Sequence, residues 1–166
     1  MRSPLSLPLL LSLALLGGCE RRGEPSAPAP QKPAPAPPAP RKEAVCAVPQ
    51  QPLTRPLPAP PATVREAGQA LTEHLSEDAK AFLRCEAEVE RVVAALHFSV
   101  GREVRNQWVR PSGGAALRAN ASQWGIADPD GISAIIVVAA HATLRPQGGD
   151  PSKAIEGYRQ RRGALQ

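Results

Sequence analysis

The sequence predicts an all-α fold, with one small domain of four to five short helices after a signal peptide and a disordered spacer rich in alanine and proline. Three observations predict it. Beyond residue 62, apolar residues recur at helical spacing, and residues typical of helix caps precede them. By contrast, 14 of the 20 prolines lie within residues 25–61, where helices and central strands are excluded because proline lacks an amide donor. All five aromatic residues also follow residue 62, which fits one compact core.

Residues 1–18 are typical of an export signal peptide. Arg2 precedes an apolar run at 5–16, which is well short of the roughly 20 residues that span a bilayer. The sequence Leu16-Gly17-Gly18-Cys19 resembles the lipobox of bacterial lipoproteins. That resemblance implies cleavage before Cys19 and a diacylglycerol thioether on its sulfur, with acyl chains such as palmitate in the membrane. The alternative is an ordinary signal peptide followed by an unrelated cysteine.

The same resemblance predicts where the protein is held. One acyl chain binds a membrane weakly, whereas two or more anchor it stably. In lipoproteins of bacteria with two membranes, an aspartate after the cysteine favours the inner membrane, and here that position is Glu20. We therefore expect the periplasmic face of the outer membrane. The expected partners are the membrane itself, through the lipid, and an envelope protein or a cell-wall component.

Residues 19–61 are predicted to form a spacer of polyproline type. At about 3.1 Å per residue, its proline-rich part reaches on the order of 100 Å. The alternative is a proline-rich ligand for an SH3-like partner. The spacer also carries most of the excess positive charge: residues 20–61 hold six Lys or Arg against three acids, and residues 62–166 hold thirteen against twelve. This near-neutral domain argues against a nucleic-acid partner.

Two cysteines remain if Cys19 carries lipid. An exported chain reaches a compartment in which disulfides persist, so we predict a disulfide between Cys46 and Cys85. Closing a loop of about 40 residues would stabilise the fold by roughly 4 kcal/mol in the chain-entropy model.

Within the predicted domain, residues 62–146, capping residues mark the helix starts. Thr63 and Glu66 form a T-x-x-E capping box for the first helix, and Ser76 caps a second. A third helix is predicted over 86–108 and a short one over 115–123, closing at Gly125. The first and third helices have apolar faces at helical spacing, formed by Val64, Ala67, Leu71 and Leu75 and by Val89, Val92, Val93, Leu96, Val100 and Val104.

The last helix of the domain begins with Asp128 as cap and Pro129 as first helical residue. The segment "GISAIIVVAAHATLR" is apolar nearly all round, which predicts a central helix. A buried strand is the alternative, because Ile135 to Val138 is β-branched throughout. Residues 147–166 form a basic tail, either a short helix or a frayed end.

A second resemblance covers roughly 85 residues. The chain resembles an uncharacterised bacterial domain family with a leading P-x-T-x-x-E-A helix, an H-F-x-x-G-x-x-[IV]-R-N motif and a later acidic pair before a serine. The matching positions are Pro61, Thr63, Glu66, Ala67, His97, Phe98, Gly101, Val104, Arg105, Asn106, Asp128, Asp130 and Ser133. Proline interrupts the acidic pair here, and the family's leucine and tryptophan after Arg-Asn are not cleanly present. The resemblance implies a domain boundary near Pro61 and a helical fold, and it carries no activity.

On one helix His97, Gly101 and Arg105 share a face, with Asn106 beside it. Glycine inside a helix costs about 1 kcal/mol relative to alanine, so another backbone or a ligand is expected close to Gly101. Two interpretations stay open. Arg105 or Asn106 ties the following loop or Asp128 by hydrogen bonds, or the polar residues form a pocket for an anionic or amide-bearing ligand. The members of that pocket would be His97, Gly101, Arg105, Asn106, Asp128 and Asp130.

The sequence favours a binding or interaction module of the cell envelope over an enzyme. No G-x-S-x-G, H-E-x-x-H or C-x-x-C pattern occurs, so we assign no catalytic residues, no metal site and no cofactor. The alternative is an enzyme that acts on envelope material through His97, Arg105 and Asp128.

Overall fold

The computed structural model describes residues 46–163. The signal peptide, Cys19 and the first part of the spacer therefore lie outside the described residues. The predicted all-α fold is confirmed in the described part of the chain. Its helices are α1 (Val64–His74), α2 (Glu77–Cys85), α3 (Val89–Leu96), α4 (Arg102–Val104), α5 (Ala115–Ser122), α6 (Pro129–Leu144) and α7 (Pro151–Gly163). Two π-helical turns, His97–Gly101 and Arg105–Val109, make 89–109 one continuous helical segment, and a 3₁₀ turn, Ser112–Gly114, precedes α5.

The predicted caps start three of these helices. The Thr63 hydroxyl accepts the Glu66 amide at 3.2 Å, and the Glu66 carboxylate accepts the Thr63 amide at 3.1 Å, which completes the capping box. Ser76 accepts the amide of Ala79, and the Asp128 carboxylate accepts that of Gly131 at 2.7 Å. These bonds satisfy amides that no preceding turn of the helix can reach.

Helix α6 is the centre of the fold. Every residue from 131 to 142 is buried, and α1, α2, α3 and α7 pack around the helix. The cap and Pro129 thus outweigh the β-branched run, and the strand alternative is wrong. Helix α1 approaches α6 closely: a Cβ added to Gly68 would lie 2.5 Å from the Ala139 Cβ. No helix in the described residues is long and apolar enough to cross a membrane.

The third predicted helix begins later than expected and is not uniformly α-helical. Its first residue is Val89 rather than Glu86, because the Glu86 amide still bonds to the Phe82 carbonyl, 2.8 Å away, and so belongs to the end of α2. The predicted apolar face is otherwise present: Val92, Leu96, Val100 and Val104 are buried.

Within the described residues, the chain already contacts the helices before Pro61, the predicted domain boundary. Residues 46–61 were assigned to the spacer, yet the Thr54 amide donates to the His74 carbonyl at 2.9 Å. Farther along, the Leu57 amide donates to Gln107 Oε1, and the Trp108 indole donates to the Pro58 carbonyl. Prolines supply carbonyl acceptors although they lack amide donors, so a proline-rich segment can pack against helices when intervening residues donate.

Candidate functional site

A disulfide joins the first described residue to the end of α2. The sulfurs of Cys46 and Cys85 are bonded, and their Cα atoms lie 5.8 Å apart. These are the two cysteines that the sequence analysis pairs. The bond fixes the point at which the preceding chain enters the helical domain.

Arg105 connects the long helical segment to the start of α6. Its Nε lies 3.0 Å from the Asp130 carboxylate, and its Nη1 donates to the Ser133 hydroxyl at 3.2 Å. Both terminal nitrogens also reach the His97 carbonyl, at 3.4 and 3.5 Å. We call this group of Arg105, His97, Asp130 and Ser133 the Arg105 clasp.

The two π-helical turns shape the clasp. One spans His97–Gly101, and the other begins at Arg105. The His97 carbonyl and the Arg105 guanidinium that donates to it therefore both belong to turns that are wider than α-helical turns. A Cβ added to Gly101 would lie 3.2 Å from Arg105 Nη1. Gly101 therefore leaves the space through which the guanidinium passes.

His97 and Phe98 form the outer edge of the clasp. The His97 imidazole Nε2 lies 4.0 Å from the Asp130 carboxylate, which is too long for a hydrogen bond. The rings of His97 and Phe98 meet edge to face with centroids 4.7 Å apart, and Phe98 is 80% exposed. The sequence predicts all five aromatic residues in one compact core, and for Phe98 that prediction is wrong, because its ring lies on the exposed side of the helical segment.

Two residues of the predicted pocket lie apart from the clasp. The Asn106 side chain is exposed and accepts a bond from Arg110 at 3.0 Å. Asp128 caps α6, and in the described part of the chain no hydrogen bond or ion pair joins it to His97 or Arg105. The structure thus brings together His97, Gly101, Arg105 and Asp130 but not Asn106 or Asp128.

The chemistry of the clasp is structural. Arg105 is buried, and each nitrogen of its guanidinium is used within the fold. Ser133 is buried as well, and its hydroxyl donates to the Asp130 carbonyl at 2.9 Å, so it does not face a substrate. These contacts match the structural interpretation of the motif, with Asp130 in place of Asp128.

A buried histidine lies near the far end of α6. His141 Nε2 donates to the Glu86 carbonyl at 2.8 Å. Burial lowers the pKa of this imidazole, although the bond to Glu86 acts in the opposite direction. His141 thus helps to hold the α2–α3 connection against α6. Within the described residues, no group of three or more His, Cys, Asp or Glu side chains is arranged to hold a metal ion.

A groove of about 510 Å³ lies where the start of α1, the end of α5 and the start of α7 meet. We call it the Trp124 groove; its polar and aromatic walls come from Arg65, Glu66, Asn120, Gln123, Trp124 and Ser152. No sequence pattern predicts this groove, because its three segments are far apart in the chain. The one local signal was the Trp124-Gly125 step after a short helix.

The fold and its contacts define a small all-α domain built around a buried central helix and closed by an arginine clasp. The chain belongs to the family described as Domain of unknown function (DUF6794), whose model matches residues 60–144. That range includes the whole clasp and α6. No curated protein and no solved structure is significantly similar to this chain.

Proposed function

We propose that this chain is a lipoprotein of the bacterial cell envelope, held in the membrane through Cys19, and that its helical domain is a binding module. The observation that carries the proposal is the sequence Leu16-Gly17-Gly18-Cys19 after a short apolar run. A thiol is the side chain that can form the thioether to diacylglycerol, and two or more acyl chains anchor a protein stably.

The disulfide supports export. Disulfides persist in oxidising compartments and are rare in the cytosol, and the bond between Cys46 and Cys85 closes the domain next to the chain that leads to Cys19. With residues 46–61 packed on the helices, the proposed tether is residues 20–45. In a polyproline conformation these 26 residues reach about 80 Å, far enough to hold the domain away from the membrane surface.

Binding rather than catalysis fits the way the polar residues are used. The clasp keeps Arg105 and Ser133 inside the fold. The most exposed large apolar side chain of the described residues is Phe98, and the Trp124 groove is open at another face. Surfaces of this kind suit a partner or ligand within the envelope.

The test is metabolic labelling with a fatty-acid probe, combined with membrane fractionation. Wild type is expected to take the label and to fractionate with membranes, and Cys19→Ala is expected to lose both. The double variant Cys46→Ser with Cys85→Ser is the matched control, because it removes cysteines while leaving the proposed lipid site. An unlabelled, soluble wild type would overturn the proposal.

A further inference from the structure

We propose that the Trp124 groove binds the glycan of the cell wall, a chain of N-acetylated amino sugars. The compartment in which this ligand would be met rests on the proposed function, whereas the chemical class of the ligand is argued from the residues of the groove. It names the ligand class of the binding module.

The backbone of Trp124 is fixed at the end of α5, and its side chain packs partly against the core. The Trp124 amide donates to the Ala121 carbonyl at 2.9 Å, which continues α5 by one turn. Gly125 then adopts φ 71°, a left-handed conformation that lets the chain leave the helix directly after the indole. The side chain is half-buried against the core, so one part of it is fixed and the rest lines the groove. An aromatic ring fixed in this way offers a flat apolar surface to the C–H face of a sugar.

Asn120 and Gln123 provide side-chain amides beside the indole. The side-chain oxygen of Asn120, Oδ1, accepts the Val64 amide at 2.9 Å, which fixes this side chain between α5 and α1. Its NH₂ group reaches Gln123 Oε1 only at 3.4 Å, and the NH₂ of Gln123 has no partner in the described part of the chain. Amides both donate and accept, as the hydroxyl and acetamido groups of a sugar do.

Two further donors belong to residues that line the groove. Within the described residues, neither the Arg65 guanidinium nor the Trp124 indole N–H makes a hydrogen bond. The Arg65 charge is balanced by Glu66 on the same helix turn, whose carboxylate already accepts the Thr63 amide. The groove is therefore polar but without a large excess of either charge, which favours an uncharged, hydroxyl-rich ligand over a strongly charged peptide.

The two tryptophans make a direct binding measurement possible. Trp108 is fully buried, and its indole donates to the Pro58 carbonyl, so it is shielded from a soluble quencher. Trp124 lies at the groove. The full chain is purified in detergent from whichever cell fraction contains it. The tryptophan fluorescence that acrylamide quenches should then come from Trp124.

The probe is chitotetraose, a tetramer of β-1,4-linked N-acetylglucosamine, with maltotetraose as the saccharide that lacks acetamido groups. Chitotetraose is expected to reduce the quenching of Trp124 and to bind at least tenfold more tightly than maltotetraose. Gln123→Ala is expected to weaken binding about three- to tenfold, measured by the same protection. Arg102→Met, at a mostly exposed residue that does not line the groove, should bind as wild type does.

A Trp124→Ala variant has no groove fluorophore, so its binding is measured by isothermal titration calorimetry and should fall at least tenfold. Because Gln123 is exposed, its variant keeps the test valid if Trp124→Ala does not fold. The proposal is overturned if chitotetraose gives no protection, if maltotetraose binds equally well, or if a wall stem peptide protects Trp124 while chitotetraose does not. Each of these results is independent of lipid labelling. The failure of saccharide binding at the Trp124 groove can therefore be distinguished from the failure of lipid attachment at Cys19.

Discussion

The Arg105 clasp and the Trp124 groove both gather polar side chains at helix ends, but they use them in opposite ways. In the clasp, the guanidinium of Arg105 bonds to Asp130, Ser133 and the His97 carbonyl, and it is buried. In the groove, Arg65 and the Trp124 indole have no partner within the described residues. Polar residues of the types that enzymes use are thus fully bonded within the fold at the clasp, whereas the groups available to a ligand lie at the groove.

The largest effect on this comparison is expected from Arg105→Met. The variant loses the ion pair with Asp130 and leaves the His97 carbonyl and the Ser133 hydroxyl without their donor. Since Asp130 is 65% exposed and can be hydrated, we expect a loss of about 2–3 kcal/mol in the free energy of unfolding, below that of a fully buried pair. Thermal melting should show a drop of about 8–12 °C for a domain of about 120 residues.

Arg102→Met is the matched control for Arg105→Met. Arg102 lies on the same helical segment and pairs with Glu103 at 3.4 Å, but its side chain is mostly exposed. A loss of at most about 0.5 kcal/mol is expected. Equal losses in the two variants would show that the clasp is no stronger than a surface ion pair.

A smaller effect is expected from filling the space beside the guanidinium with Gly101→Ala. The new Cβ lies 3.2 Å from Arg105 Nη1 and 3.4 Å from the Leu96 carbonyl, so the clasp must shift. Gly157→Ala in α7 is the control, because its Cβ meets only the flexible end of Arg161. Alanine stabilises a helix by about 1 kcal/mol relative to glycine. We expect Gly157→Ala to raise the free energy of unfolding by most of this amount and Gly101→Ala not to raise it. Urea denaturation measures the difference, and an equal gain at both positions would contradict a tightly packed clasp.

Asn120→Ala tests a groove residue that also holds the fold. The variant leaves the Val64 amide without its acceptor at the start of α1, which should cost about 1 kcal/mol of stability. Gln123→Ala, one helical turn away and exposed, should change stability by less than about 0.5 kcal/mol. Chemical denaturation of the pair separates the two roles, and a loss at Gln123 as large as that at Asn120 would mean that the groove is structural throughout.

The smallest effect is a pH dependence that belongs to neither region. Burial lowers the pKa of His141 in the folded state, so the unfolded state binds the proton more readily. The contribution of neutral His141 to the free energy of unfolding should therefore be fully present above about pH 6.5, the ordinary histidine pKa. It should decrease as the pH drops towards the lower pKa of the folded state. His141→Gln keeps a donor for the Glu86 carbonyl and should melt with a flatter pH profile between pH 7 and 5. An unchanged profile in the variant would exclude His141 as the source.

The local signals in the sequence were sufficient for the helices and insufficient for what lies between them. The caps at Thr63, Ser76 and Asp128 act over three or four residues and could be predicted directly. The end of the spacer could not, because a proline-rich segment packs only when a distant donor such as the Trp108 indole reaches its carbonyls. The partner of Arg105 was also partly missed: the structural interpretation named the following loop or Asp128, whereas the first turn of α6 presents Asp130.

The Trp124 groove shows the same limit more strongly. Its walls come from residues near 65, near 122 and at 152, and nothing within any one of these segments indicates the other two. Two of the clasp residues, His97 and Arg105, were by comparison already linked by a motif along one helix. A sequence therefore reveals a site whose members share an element more readily than one assembled from the ends of three.

The most direct test of this account is thermal melting of wild type, Arg105→Met and Gln123→Ala, each with and without saturating chitotetraose. A ligand that binds the folded state raises the melting temperature. We predict that Arg105→Met melts well below wild type yet keeps the full upward shift with saccharide, and that Gln123→Ala melts with wild type but shows a reduced shift. A lost shift in Arg105→Met together with a full shift in Gln123→Ala would contradict the division between a structural clasp and a binding groove.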